Sequence, residues 1–288
     1  MDVETLYFGY GSNLSEQDWR DWCMARGYEV PSMTPVGVAW LPNYSLRFHY
    51  RSSGRKGGAA DVVPDKAGTA VPGVLFSLSE EGWKRVNEKE GDPDYYRRTP
   101  VRVLTSKGEL VEAITYTVVP DRKQPYLVAP TPEYEAVVCQ GLNEYNLPIE
   151  HLNFAIETFE SESALDYVFV YGTLMQGEQR WPQLEPWSME VVPGAVSGGL
   201  YDLGAYPGLR LDENGTVHGE VHRCRNTSEA LAALDQIEGC DAFEPEHGLY
   251  LRVPVEVQIE DGSLWAWTYV INQLPDDARC LEDGRWFG

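Results

Sequence analysis

Two glutamates occupy the same unusual place in the sequence, each directly before the glycine that ends a predicted amphipathic helix. Glu90 precedes Gly91, and Glu238 precedes Gly239. An acid is disfavoured at a helix C-terminus because it faces the negative end of the helix dipole. Its occurrence at two such places suggests chemistry, since burial beside aromatic strands would let a carboxyl group act as base and acid near neutral pH. The alternative interpretation is an exposed helix-end glutamate, which is common in an acidic chain.

Two predicted strands stop at Tyr-Gly followed by a small hydroxyl residue, in Tyr10-Gly11-Ser12-Asn13 and in Tyr171-Gly172-Thr173-Leu174. The two glycines are expected to allow positive φ and the close approach of a ligand. Consecutive backbone N–H groups in such a turn can bind a carboxylate or a developing oxyanion. One copy alone would be interpreted as a tight turn without a ligand. Two copies, each followed by the same downstream glutamate, favour a binding site.

The chain repeats five elements in the same order, which predicts a duplicated domain. The paired segments are Tyr10–Leu14 with Tyr171–Leu174, Gly73–Phe76 with Gly219–His222, Asn87–Gly91 with Asp235–Gly239, Tyr96–Val101 with Tyr250–Val255, and Ala113–Tyr116 with Ala266–Tyr269. The spacing between partners varies only as loop insertions would make it vary. The acidic, small-residue segment Glu160–Ser163 suits a linker. We therefore predict one domain over residues 1–160, with a C-terminal helical tail, and a second over residues 165–288.

The pattern of apolar residues predicts an α+β fold in which each domain is a small mixed β-barrel with one or two flanking helices. Short apolar runs end at the two Tyr-Gly turns, and longer strands pair as hairpins across polar turns such as residues 106–108 and 260–263. Helices are predicted over Ser79–Lys89 and Thr227–Ile237, each with a hydroxyl residue as its N-cap.

Composition and the motifs present disfavour several function classes. The formal charge of −22 disfavours a nucleic-acid partner, and any anionic ligand must be bound by local groups rather than by long-range attraction. The five cysteines show no CxxC spacing, which disfavours a zinc site or a disulfide framework. No apolar run reaches the length of a membrane helix, so we expect a cytoplasmic protein without a membrane partner. Phosphate-loop and serine-hydrolase motifs are absent from the sequence.

At these same residues the chain resembles the γ-glutamylcyclotransferases. In the first half the resemblance rests on Tyr7–Leu14, Gly57–Val62, Asn87–Gly91 and the tail from Pro130 through Pro148. The second half resembles the shorter γ-glutamylamine cyclotransferases and AIG2-like proteins, through Val168–Leu174, Leu203–Pro207, Leu234–Gly239 and Tyr250–Arg252. Asn87 departs from the pattern, since many relatives have aspartate there, as Asp235 is here.

The resemblance implies a site at the mouth of each barrel, with Glu90 and Glu238 as catalytic acid/base residues. It implies that one group of residues lines the substrate pockets: Tyr7, Phe8, Gly9, Tyr10, Gly11, Ser12, Asn13 and Tyr134 in the first domain, and Tyr171, Gly172, Thr173 and Leu174 in the second. No metal or cofactor is implied. The partner is a small γ-glutamyl molecule, and packing of the two domains on each other is compatible with the sequence.

The implied activity is release of 5-oxoproline from a γ-glutamyl amide or peptide. The substrate's own α-amine attacks the γ-carbonyl, so the protein supplies no nucleophile. Two other interpretations stay open at this point. In one, a single domain is active and the other is an idle carboxylate- or γ-glutamyl-binding domain; in the other, both Tyr-Gly motifs are structural turns of a scaffold. Neither the leaving amine nor the relative arrangement of the domains follows from the sequence.

Overall fold

The computed structural model describes residues 5–160, 165–211, 214–241, 244 and 247–287. The chain divides into two compact units. Unit 1 is built from residues 5–65, 69–105 and 110–160, and the main body of unit 2 begins at Leu165. Residues 161–163 of the predicted linker lie outside the described residues.

Unit 1 combines strands with four helices in its described part. The strands are β1 (Leu6–Gly9), β2 (Met33–Pro42), β3 (Tyr44–Ser52), β4 (Gly57–Pro64), β5 (Ala70–Leu78), β6 (Tyr96–Thr105) and β7 (Leu110–Val118). The helices are α1 (Glu16–Met24), α2 (Glu80–Glu90), α3 (Pro132–Glu144) and α4 (Glu150–Glu157). Single 3-10 turns occur at Ser12–Leu14 and Pro120–Arg122.

Unit 2 has a similar set of strands and fewer helices in its described part. Its strands are β8 (Tyr167–Val170), β9 (Ser188–Ser197), β10 (Gly199–Asp202), β11 (Pro207–Arg210), β12 (Thr216–Cys224), β13 (Tyr250–Ile259), β14 (Gly262–Ile271) and β15 (Arg279–Cys280). Its helices are α5 (Trp181–Leu184) and α6 (Thr227–Glu238).

Each unit contains a closed five-stranded barrel with the same cyclic strand order. In unit 1 the order is β1-β5-β2-β6-β7, and in unit 2 it is β8-β12-β9-β13-β14. Each barrel is mixed, because β1 pairs antiparallel with β5 but parallel with β7, and β8 pairs in the same way with β12 and β14. The predicted fold of two tandem small mixed barrels is confirmed. Outside the barrels lie the β3–β4 hairpin and the three-stranded sheet β11-β10-β15.

The helices that lead to the two glutamates end as the sequence predicts. Gly91 and Gly239 are left-handed, with φ of 66° and 60°, a conformation that glycine adopts without steric cost. The Ser79 side chain caps α2. At α6 the N-cap lies one residue before the predicted Thr227. The Asn226 side chain accepts the N–H of Glu229 at 3.3 Å, and Thr227 is the first helical residue.

Candidate active sites

In unit 1 the end of α2 brings Glu90 to the Tyr-Gly loop that follows β1. The Asn13 side-chain amide donates a hydrogen bond of 2.7 Å to Glu90 Oε1 and one of 2.8 Å to the Tyr7 hydroxyl. Burial raises the pKa of the Glu90 carboxyl, against the opposing charge of Lys89 and the hydrogen bond from Asn13. The loop and the helix end, far apart in sequence, therefore meet around one carboxyl group that can take up a proton more readily than usual.

A partly buried ion cluster that the sequence analysis missed supports this loop. Asp18 accepts hydrogen bonds from Arg55 at 2.7 and 2.8 Å and from Lys89 at 2.7 Å. Arg55 also donates to the Ser12 hydroxyl at 3.0 Å, so its guanidinium is engaged on two sides. The sequence signal for this cluster is the basic, glycine-rich segment 54–58, which contains Arg55.

Tyr134 lies where the resemblance implies, against the first Tyr-Gly loop. Its hydroxyl would be 3.6 Å from a Cβ placed on Gly11, and Arg55 lies 4.9 Å from its ring centroid. The Tyr134 hydroxyl accepts the N–H of Ala60 at 3.4 Å. Phe8 is fully buried in the core, and its place in the substrate pocket stays a prediction.

In unit 2 the corresponding residues line a pocket of about 340 Å³, counted with its solvent-open mouth. Its floor and walls combine the loop after β8, the end of α6 and aromatic side chains of neighbouring strands. The described residues that line it are Phe169, Val170, Tyr171, Gly172, Thr173, Leu174, Tyr206, Pro207, Glu238, Tyr250 and Tyr269. None of residues 275–287 is among them, so in the described part of the chain the C-terminal tail does not plug this pocket.

Glu238 is the acid of this pocket, and its environment is apolar on most sides. Its side chain is 9% exposed, and burial raises its pKa to about 7, with Arg180 opposing the shift. The Arg180 guanidinium lies 3.6 Å from Glu238 Oε1. A carboxyl group that titrates near neutrality is suited to accept a proton in one step and return it in the next.

The predicted positive φ of the two motif glycines is wrong. Gly11 has φ of −120°, and Gly172 is not among the left-handed glycines. The need for glycine at 172 is instead a close approach, because a Cβ there would lie 2.4 Å from Cγ of Pro207. The pocket wall itself, rather than a special backbone conformation, excludes a side chain at Gly172.

One turn before each glutamate, a polar side chain joins the helix to the barrel. In unit 2, Asp235 accepts a hydrogen bond of 2.7 Å from the Tyr269 hydroxyl and forms a buried ion pair with Arg252. In unit 1 the equivalent Asn87 accepts from Arg98 at 2.9 Å and from the hydroxyl of Tyr116. The same three positions of the repeat thus hold each helix end against its barrel. The helix residue is the charged Asp235 in unit 2 and the neutral Asn87 in unit 1.

Asp235→Asn and Asn87→Asp, which exchange the residue types at these two positions, are expected to have unequal effects on stability. Asp235→Asn leaves the buried Arg252 without its counter-charge and should destabilise unit 2 by about 2 kcal/mol. Asn87→Asp adds a pair to the exposed Arg98 and should change stability by less than about 1 kcal/mol. Urea unfolding of both variants measures the two values. Equal losses would contradict the difference in burial.

Among the described residues, no group of three or more His, Cys, Asp or Glu side chains is placed to hold a metal ion. His222, with His218 on β12, is fully buried and bonds to Ser188 at 3.0 Å and Glu220 at 3.2 Å. Across residues 5–160, 165–211, 214–241, 244 and 247–287 no helix is long and apolar enough to span a membrane.

Comparison with known proteins decides the family. The model of the family described as gamma-glutamyl cyclotransferase, AIG2-like, matches residues 7–136 and again residues 168–288. The chain belongs to the AIG2-like γ-glutamyl cyclotransferase family. The double match agrees with the two barrels, and the cyclotransferase class is thereby established at the level of the family.

Three relatives illustrate the range of similarity. The YtfP family protein of Escherichia coli K12 is 36% identical over 125 residues, which is 41% of this chain and 94% of that protein. The γ-L-glutamyl-butirosin B γ-glutamyl cyclotransferase of Niallia circulans is 33% identical over 107 residues, 37% of this chain and 67% of that protein. The human γ-glutamylcyclotransferase is 28% identical over 152 residues, 51% of this chain and 74% of that protein.

Proposed function

We propose that the chain releases 5-oxoproline and a free amine or amino acid from γ-glutamyl amides or peptides, with Glu90 and Glu238 as the acid/base residues of two sites. One observation carries the proposal. In each unit, a carboxyl group whose pKa is raised by burial stands at the glycine-terminated end of a helix, beside the Tyr-Gly loop.

The reaction needs a single proton carrier. The glutamate accepts a proton from the α-ammonium group, and the freed amine attacks the γ-carbonyl carbon of the same molecule. A C–N bond closes the five-membered ring, the bond to the leaving nitrogen breaks, and the glutamate returns the proton to that nitrogen. The ring nitrogen then loses its second proton through the same glutamate, and the amine product leaves as an ammonium ion. Because attack is intramolecular, holding the substrate in its folded conformer supplies much of the acceleration.

The binding roles follow the same geometry in both sites. Loop N–H groups of residues 9–13 and 171–174 are proposed to hold the α-carboxylate or the γ-carbonyl oxygen. Tyr134 is proposed to contact substrate in unit 1. Action without a cofactor and a cytoplasmic location remain predictions from the sequence.

The decisive experiment is 5-oxoproline release from a panel of γ-glutamyl dipeptides and γ-glutamylamines. Glu90→Gln should lower kcat for the substrates of unit 1 by about a hundredfold or more, and Glu238→Gln should do the same for those of unit 2, because glutamine cannot carry the proton. Glu88→Gln, an exposed neighbour on α2, is the matched control and should leave every rate unchanged.

The alternative, one active unit beside an idle binding unit, predicts another result of the same experiment. All activity would then disappear with one of the two glutamine substitutions, and the other would change none of it. Absence of 5-oxoproline with every substrate and the folded wild-type chain would overturn the proposed function.

A further inference from the structure

The two sites differ in the state of the arginine closest to them. In unit 1 three hydrogen bonds hold the Arg55 guanidinium, two to the oxygens of Asp18 and one to the hydroxyl of Ser12. In unit 2 Arg180 faces Glu238 at 3.6 Å, which is an ion-pair distance but too long for a strong charge-assisted hydrogen bond. Arg180 therefore has donors that it can offer to a ligand.

The backbone fixes Arg180 at the edge of the second pocket. Its N–H donates a hydrogen bond of 2.7 Å to the carbonyl oxygen of Thr173, within the Tyr-Gly loop. Its guanidinium lies 5.9 Å from the ring centroid of Tyr206, another lining residue. The side chain is 33% exposed, so a ligand entering the pocket can reach it.

An arginine in this position is suited to a carboxylate. The planar guanidinium presents paired donors that match the two oxygens of a carboxylate group. The formal charge of −22 repels anions at long range, so an anionic substrate needs such a local cation. If Glu238 protonates the leaving nitrogen, a carboxylate on the leaving group, two bonds from that nitrogen, comes within reach of Arg180.

We propose that Arg180 is a specificity residue of unit 2 that binds the carboxylate of the leaving group, so that this unit prefers γ-glutamyl amino acids over γ-glutamylamines. The inference rests on the proposed function. Binding of the substrate carboxylate draws the guanidinium away from Glu238, which leaves that carboxyl group free for proton transfer. Arg180 takes no part in bond making or breaking.

The test measures affinity without turnover. In the full chain carrying Glu90→Gln and Glu238→Gln, amide NMR signals of Gly172 and Thr173 report binding at unit 2 alone. γ-Glutamyl-alanine is compared with γ-glutamyl-ethylamine, which lacks the leaving-group carboxylate. Arg180→Gln should raise the Kd of the first ligand by about tenfold to a hundredfold and that of the second by less than about threefold.

Two controls keep the outcome specific. Arg180→Lys keeps the charge but lacks the paired donors of the planar guanidinium, and it should recover part of the affinity for γ-glutamyl-alanine. Arg225→Gln removes an equal charge from an exposed position and should change neither Kd. Equal losses for both ligands, or no loss for either, would overturn the role of Arg180.

The same ligands separate this inference from the proposed function. Release of 5-oxoproline is measured in the Glu90→Gln chain, where unit 2 alone keeps its glutamate. Discrimination between the ligands without any 5-oxoproline would support Arg180 as a carboxylate-binding residue and overturn the reaction. Release of 5-oxoproline at rates that Arg180→Gln leaves unchanged for both substrates would overturn the inference and support the reaction.

Discussion

Replacing Glu238 with glutamine is expected to stabilise unit 2 at pH 8 by about 3 kcal/mol. Burial raises the pKa of this carboxyl from its ordinary value of 4.5 to about 7, so between these values the folded state binds more protons than the unfolded state. Stability then falls as the pH rises through this window. Above pH 7 the buried carboxyl group is charged, and the folded state then carries the full free-energy cost of burying that charge. A neutral glutamine of similar shape removes this cost.

The difference in stability between wild type and Glu238→Gln should itself depend on pH. Urea unfolding of wild type and Glu238→Gln is compared at pH 4.5 and pH 8, and the gain should be small at the lower value. Glu260→Gln, which removes an acid from an exposed turn of unit 2, should change stability by less than about 0.5 kcal/mol at both. A variant less stable than wild type at pH 8 would mean that the charged form makes stabilising contacts that the burial argument leaves out.

This opposition between stability and the proposed reactivity explains why the two glutamates can be predicted from the sequence as candidate site residues. A helix end is stabilised by a cation or by a neutral residue, so an acid before the terminal glycine is a local violation of the pattern. Its recurrence at Glu90 and Glu238 favours a role in a site over the alternative of an exposed helix-end acid. The helix boundaries followed from equally local signals, a capping side chain at Ser79 and glycine at positions 91 and 239.

The features that sequence could not predict depend on contacts across the fold. Asp18, Arg55 and Lys89 come together from three separate elements around one loop, and no spacing in the sequence connects them. Arg180 lies between the repeated Tyr-Gly motif and β9, and its backbone bond to Thr173 holds it beside the pocket. Such residues surround the repeated motif and differ between the two units, which makes them candidates for specificity.

The barrel strand that pairs with the strand before each Tyr-Gly loop explains another part of the repeat. Gly73 of β5 and Gly219 of β12 are equivalent, and a Cβ on either would meet a backbone carbonyl oxygen, at 2.3 Å from Gly9 and 2.1 Å from Val170. Both oxygens belong to the strand that leads into the loop. Glycine at these positions therefore allows the close approach of the two strands where the loop begins.

Gly73→Ala is accordingly expected to destabilise unit 1 by about 3 kcal/mol or more. The added methyl group would also lie 2.6 Å from the ring of Phe8, which is fully buried and cannot turn away. Gly37→Ala on β2 is the control, because its Cβ would meet nothing within 4 Å, and stability should change by less than about 1 kcal/mol. Thermal and urea unfolding of both variants measure the difference. Because Gly73 lies against the start of the loop that carries Asn13, reactions that depend on Glu90 should disappear in the same variant, whereas those that depend on Glu238 should persist. A fully stable Gly73→Ala protein would refute the argument from the close approach of the two strands.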